Sequence, residues 1–422
     1  MPQVVLLGAT VAVVLLGHRR VRPAITVAVA VAVGLLTGIV EWEASIDAVR
    51  PLAAPLGFLA VAVPVAVLLD RVGFFGAAAD WVTARRLAAG SRLPAVLWVF
   101  AAVVTTLFNL DAAIVLLTPL YLKIAVRRGL DPVATAFQPV LLASLASSAL
   151  PVSNLTNLIV AEVTDADAGE FLVRLGPASL AATAVGWYAY RHATRPSTTL
   201  WQPQRRIVSP ALPPRDASNS VAATPPDSAS LRLPKNSGRA WAVGGPAVVV
   251  LLIGFTLGDV LGVPAWLVAS AVAVGLVAAT RTLPWRALPV EAVVVAGGLA
   301  VLAGAAVAHL GLDRLLAGTG PLAEARAFGA GVVGANAVNN LPALLVGLPN
   351  LAEPTMWAYL LGVNVGPLLW ISGSLAGLLW ADVMAGHGHP VTAGQYARVG
   401  RRVGLPALLL AGAVAVATSR VV

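Results

Sequence analysis

The sequence predicts an all-α polytopic membrane protein: an inverted-topology repeat of about ten transmembrane helices, two of them broken, plus two re-entrant hairpins. Composition is the first of three observations behind this. Of 422 residues, 58% are hydrophobic and 11% charged, with a mean hydropathy of +0.85, whereas soluble domains carry about 25% charged residues. Runs such as 24–40 and 246–257 do not alternate polar with apolar, as membrane β-strands of roughly 10 residues must. The second observation is an internal repeat. Residues 109–119 and 339–349 both open on Asn and close on Pro; Asn109 aligns with Asn339, Ala113 with Ala343 and Pro119 with Pro349. The third is charge: Lys and Arg collect in alternate loops, which marks the cytoplasmic side.

In chain order, spans are expected at 2–17 and 23–40, separated by Arg19, Arg20 and Arg22. The first run has no basic residue before it and no small-residue cleavage site after it. It reads as a span with its N-terminus outside rather than a signal peptide. Glu41, Glu43 and Asp47 occupy the next loop, and a third span covers 51–69. Residues 74–89 form a weakly amphipathic piece near Arg71, Arg85, Arg86 and Arg92, expected to lie at the inner surface.

Residues 94–126 are unusual. The arms 94–108 and 112–126 flank Asn109-Leu110-Asp111, and each is shorter than the about 20 residues a span needs. Lys123, Arg127 and Arg128 follow the second arm, so both ends belong inside and the segment reads as a re-entrant hairpin. Residues 132–162 read as one helix broken around 151–157, crossing to an acidic cluster of Glu162, Asp165, Asp167 and Glu170 outside. A span over 171–190 returns. Residues 191–239 hold eight prolines, eight basic residues and two acidic ones. They are too polar to span and read as a disordered cytoplasmic linker, leaving 1–190 as the first repeat.

The second repeat, 240–422, follows the same plan upside down. Spans are expected at 240–257, 264–280 and 288–309. A hairpin over 322–351 carries Asn336, Asn339 and Asn340 near its tip, and a broken helix over 354–382 carries Asn364, Ser372 and Ser374. A last span, 403–418, ends outside. Five crossings per half, an odd number, make the second repeat enter with opposite orientation. All but five of the 28 Lys/Arg (Arg50, Arg174, Arg314, Arg326 and Arg420) then lie inside.

Irregular backbone at bilayer depth is tolerated only where protein or a watery cavity covers it. The two tips and two breaks should therefore meet near the midplane and present freed backbone groups to a polar solute or ion. The candidate binding residues are Asn109, Ser153, Asn154, Thr156 and Asn157 in the first half, and Asn336, Asn339, Asn340, Asn364, Ser372 and Ser374 in the second. Asp111 is the one carboxylate far from a membrane surface in this topology. A carboxylate there costs about 2.5–3.5 kcal/mol on insertion scales, and its expected role is to carry a coupling proton or to coordinate a coupling cation. The plainer role is to cap the second hairpin arm. Glu291 reads as interfacial, and His387-Gly388-His389 as a solvated loop rather than a metal site.

Other classes recede. The chain has no Cys, which excludes disulfides and thiolate metal sites. The net charge of +9 is accounted for by basic cytoplasmic loops, not by nucleic acid. No nucleophile–base motif, P-loop or zinc signature appears, so neither an enzyme nor a built-in ATP drive is expected.

The stretches 109–119, 153–157, 339–342, 364–367 and 372–375 resemble the ArsB-type arsenite efflux proteins of the ion-transporter superfamily, which also holds dicarboxylate/sodium symporters and NhaD-type antiporters. The resemblance covers nearly the whole chain. It implies a plasma-membrane protein that exports trivalent arsenite or antimonite against proton entry, with sodium the alternative coupling ion. It further implies no other cofactor, a homodimer, and an optional ATPase partner subunit. The family pattern Gly-Pro-Lys followed by Thr is replaced here by Gly366-Pro367-Leu368-Leu369-Trp370. A neutral As(OH)₃ resembles a small polyol that amides and hydroxyls can hold, whereas no soft thiolate is present. The rival expectations are a sodium/proton antiporter, an organic-anion transporter and, further off, a channel.

Overall fold

A computed structural model describes residues 1–17, 21–84, 92–194, 237–258, 261–353 and 355–420. Among them every regular element is helical, as a chain that must satisfy its backbone inside hydrocarbon requires. The first half runs α1 Pro2–Gly17, α2 Pro23–Leu36, α3 Trp42–Val49, α4 Ala53–Arg71, α5 Phe74–Ala84, α6 Leu93–Phe108, α7 Leu110–Arg128, α8 Pro132–Leu145, α9 Leu155–Thr164, α10 Ala168–Arg174 and α11 Gly176–Ala193. The second begins with α12 Ser237–Arg239, which continues through a π-helical turn into α13 Gly245–Leu257. It goes on through α14 Ala265–Thr280, α15 Val290–Val307, α16 Asp313–Leu316, α17 Pro321–Val338, α18 Asn340–Gly347, α19 Thr355–Val365, α20 Leu375–Gly386, α21 Ala393–Val399 and α22 Leu405–Thr418. Among the described residues, three continuous helical stretches, Trp42–Arg71, Trp285–Val307 and Ala393–Thr418, are long and apolar enough to cross a membrane. Shorter apolar helices, among them α2, α6, α8 and α14, make up much of the rest.

Local chemistry sets most helix ends. Pro occupies the first turn of α2, α6, α8, α11, α13, α17 and α22, where its missing N–H costs nothing. Asp131 caps α8 by accepting from Ala134 N at 2.7 Å, and Gly129 ends α7 in the left-handed region. One expectation needs correction, and a second segment gains detail. The span expected over 23–40 stops at Leu36, because Gly38 takes φ 70° and the Val40 N–H folds back to the Gly34 carbonyl. The acidic segment after it is helical (α3) and leads through a 3₁₀ turn into α4. The piece expected at the inner surface, 74–89, is helical to Ala84. Its Phe74, Phe75 and Ala77–Ala79 stretch is buried, with Phe75 edge-on to Phe108 at 5.6 Å. Residues 85–91 lie outside the described residues, as do 195–236, where most of the expected linker falls.

Helices pair both within each half and between the halves. α4 packs along α14, α2 and α3 along α15, α11 along α22, and α7 along both α8 and α20. α1, α2 and α15 share a separate apolar cluster. α17 and α19 approach so closely that a Cβ on Gly331 or Gly362 would collide with the facing backbone. Trp380 of α20, fully buried, donates to the Ala136 carbonyl of α8 at 2.8 Å and lies 4.5 Å from the Phe137 ring.

Candidate functional site

Two pairs of helices meet at single residues. Asn109 ends α6 and begins α7; Asn339 ends α17 and begins α18. Their backbones match, with φ 81°, ψ 144° at Asn109 and φ 82°, ψ 152° at Asn339. This region is close to glycine-only and costs of order 1–3 kcal/mol. Each carboxamide oxygen relieves the turn by accepting the N–H two residues on: Asp111 N at 2.9 Å and Leu341 N at 3.4 Å. Both pairs fold back as antiparallel arms. The Tyr121 hydroxyl of α7 donates to the Leu97 carbonyl of α6 at 2.5 Å. In the second pair, Gly334 of α17 faces Ala343 of α18 so closely that a Cβ there would sit 3.2 Å from the Ala343 Cβ.

The helix breaks match as well. Leu150 (φ −135°, ψ 149°) and Trp370 (φ −141°, ψ 135°) each open a 3₁₀ turn, Pro151–Ser153 and Ile371–Gly373. Asn154 (φ −149°, ψ 140°) and Ser374 (φ −144°, ψ 155°) close them and cap α9 and α20. Asn154 Oδ1 accepts from Thr156 N, and Ser374 Oγ from Gly377 N.

The side chains at the first break form a closed, buried cluster. Ser153 Oγ donates to the Ser147 and Leu150 carbonyls, and Asn157 Nδ2 reaches the same two at 2.8 and 2.9 Å. Asn364, on α19 of the other half, completes it. Its Oδ1 accepts from Thr156 Oγ1 at 2.6 Å and Asn154 Nδ2 at 3.1 Å, while its Nδ2 donates to Asn157 Oδ1 at 2.7 Å. The second break is held by the second hairpin: Asn336 Nδ2 donates to the Gly366 carbonyl at 2.8 Å and Asn339 Nδ2 to the Ser372 carbonyl at 3.2 Å. The counterpart on the first hairpin is left open, since Asn109 Nδ2 is buried without a hydrogen-bond partner among the described residues.

Asp111 lies in the first turn of α7, where a negative charge meets the positive helix end. The cap is Asn109, which corrects the plainer role expected for Asp111. Asp111 instead lines a crevice of about 510 Å³, together with Val115 and Leu116 of α7, Leu375 and Leu379 of α20, and Arg22, Glu291 and Asp382. A second crevice of about 630 Å³ reaches Pro151 and Val152 of the first break, past Glu162, Asp165 and Asp167. Among the described residues, two polar-rimmed crevices thus each end on one of the irregular segments.

The model of the citrate transporter family matches residues 11–373, most of the chain and both hairpins. The chain belongs to this family. It is a membrane transporter, not an enzyme. Among curated relatives, the arsenical pump membrane protein of Yersinia enterocolitica is 28% identical over 381 residues, covering 84% of this chain and 83% of the relative. An arsenical pump membrane protein of Escherichia coli is 26% identical over 388 residues, covering 84% and 83%. That of E. coli strain K12 is 26% identical over 387 residues, covering 85% and 84%. The resemblance to ArsB-type transporters seen in the motifs therefore extends over the chain.

Within this transporter the expected site residues separate into three places. Ser153, Asn154, Thr156, Asn157 and Asn364 share one hydrogen-bonded cluster. Asn336 and Asn339 join the second break, and Asp111 faces the 510 Å³ crevice. The side chains of Asn340 and Ser372 enter no hydrogen bond among the described residues, and Ser374 serves as a helix cap. Sequence reasoning missed Ser147 and Ser148, both fully buried; Ser148 Oγ accepts from Asn364 Nδ2 at 3.4 Å and Ser147 Oγ has no partner among the described residues. Their signal was present: a Ser pair in an apolar run just before the break. Thr105, one turn before Asn109 and unpartnered, was missed for the same reason.

Proposed function

We propose that the chain is a secondary active transporter that exports trivalent arsenite or antimonite in exchange for protons by alternating access. The observation that carries this reading is the pair Asn109 and Asn339, two tips in one rare backbone state, each next to a helix break. Paired interruptions in the two halves of an apolar chain are the pattern of a transporter built as an inverted-topology repeat, here of about ten spans with two re-entrant hairpins. In this reading Asp111, accessible from the crevice, exchanges the coupling proton, with sodium the alternative ion. The open Asn109 amide holds a neutral trihydroxy solute, with the amides and hydroxyls around Asn364 exchanging some of their mutual bonds for it. The names of the curated relatives support an arsenical substrate. The chain sits in the plasma membrane with both termini outside and 191–239 cytoplasmic; its homodimer and an optional ATPase subunit rest on the resemblance alone.

The test is proton-gradient-driven arsenite uptake into inside-out vesicles, with the parent chain and Asp111→Asn. Uptake that collapses with a protonophore and is lost in Asp111→Asn supports both substrate and coupling residue. Uptake that survives the substitution keeps the substrate and removes Asp111 from coupling. A correctly inserted parent chain that takes up no arsenite, with or without sodium, ends the arsenical reading. A second reading, an organic-anion transporter, is favoured by the description of the matched family. Against it, Arg22 at the rim is the one basic residue lining the Asp111 crevice among the described residues, so a multiply charged anion would meet no cation among them at depth. Sodium-driven citrate uptake that arsenite does not inhibit would select it.

A further inference from the structure

The groove between α4 and α14 lies apart from the polar site. It encloses about 500 Å³ and all its lining residues are apolar, among them Val61, Pro64 and Leu68 of α4 and Val274 and Val277 of α14. Its floor is packed, with Leu68 fully buried, and its rim is open, with Val274 and Leu283 each 70% exposed. The α4 wall from Ala60 to Leu68 is about 12 Å long at 1.5 Å per residue, close to the ~15 Å hydrocarbon depth of one leaflet.

The end of the groove is basic. The Arg286 guanidinium lies 4.9 Å from the Trp285 ring centroid, and Trp285 lines the groove. Arg281 ends α14, exposed, at φ 50°, and Arg239 donates to the Ala279 carbonyl at 3.2 Å. None of the three forms an ion pair among the described residues. Asp70, two residues past the α4 wall, forms no ion pair with any of the three among the described residues. An apolar slot of one-leaflet length that ends in uncompensated cations and an aromatic ring matches a lipid with a negative headgroup. A two-fold contact between copies would instead bring two such cation sets together.

We propose that this groove holds one acyl chain of an anionic phospholipid, whose phosphate-bearing headgroup is bound by Arg281 and Arg286. The inference is independent of the transported solute. Because the chain has no Cys, Val274→Cys provides a unique site for a fluorescent label on the rim. The labelled protein is placed in phosphatidylcholine vesicles containing a small fraction of nitroxide-tailed phosphatidylglycerol or, separately, nitroxide-tailed phosphatidylcholine. Each cation near an anionic headgroup gives about a fivefold preference, so quenching should show a preference for phosphatidylglycerol of about 30-fold. It should fall close to unity in Arg281→Asn/Arg286→Gln, where Asn keeps the left-handed backbone. Equal quenching by both lipids, an unchanged preference in the double variant, or cross-linking of Val274→Cys between copies overturns the proposal. Native mass spectrometry of the unmodified chain titrated with each lipid measures the same preference with no substitution, and equal binding there overturns it as well.

Discussion

The Asn364 carboxamide oxygen accepts the Thr156 hydroxyl at 2.6 Å across 208 positions of chain. One side chain on α19 thereby closes the break of the other half. Removing it strands Thr156 Oγ1, Asn154 Nδ2 and Asn157 Oδ1, and each unpaired buried group costs about 1–3 kcal/mol. Asn364→Ala is therefore expected to lower stability by at least about 3 kcal/mol, whereas Thr156→Val removes a single donor and costs about 1 kcal/mol. Thermal melting in detergent checks the order. Equal melting of Asn364→Ala and parent would mean the cluster does not hold the break.

The tips give a second expectation. Asn109 and Asn339 sit where side chains are strained, so Ala should be worse than Gly at both positions by about 1–3 kcal/mol, although Ala is the better helix former. Asn339→Gly should also cost more than Asn109→Gly, because only Asn339 holds a break carbonyl through its amide. Melting of the four variants decides it. Ala variants as stable as Gly variants would contradict the backbone conformation.

The two crevices should open to opposite sides of the membrane if the halves are inverted. In the Cys-free chain, Leu116→Cys reports on the crevice of Asp111 and Ala161→Cys on the crevice of Glu162. A membrane-impermeant thiol reagent is expected to label the first in inside-out vesicles and the second in right-side-out vesicles. Labelling of both from one side would rule out the proposed arrangement.

Arg174 is one of the cations that breaks the expected inside bias, and its surroundings explain why. It lies 3.6 Å from Glu170 and 3.9 Å from Glu353, and shares a small cavity with the buried Glu324, which accepts from Ser419 Oγ at 2.5 Å. Exposed pairs alone contribute about 0–1 kcal/mol. Coupling to Glu324 should make Arg174→Gln and Glu324→Gln non-additive by about 1 kcal/mol in a double-mutant cycle. Additive effects would show that Arg174 serves the surface carboxylates only.

The sequence by itself determined that the chain is helical and membrane-embedded, because a chain with 11% charge and no alternation has no other way to satisfy its backbone in hydrocarbon. It also marked the two tips and both breaks, since Asn, Ser and Pro inside apolar runs are visible without knowing what they touch. Helix ends were less legible. α2 stops at Leu36 because Gly38 turns the chain, although Ile39 and Val40 are apolar enough to continue it. What only the tertiary structure decided is which polar groups meet. Asn364 looked like one candidate among many until α19 brought it to the first break, and Asn340 looked equivalent to Asn339 until only Asn339 was found bonded to Ser372. Ser147 and Thr105 gained meaning only from burial without a partner. Local pattern follows from the neighbours along a helix. These pairings depend instead on helices packing across 33 to 210 positions of chain, where every apolar face is an acceptable partner and the few polar contacts select among them.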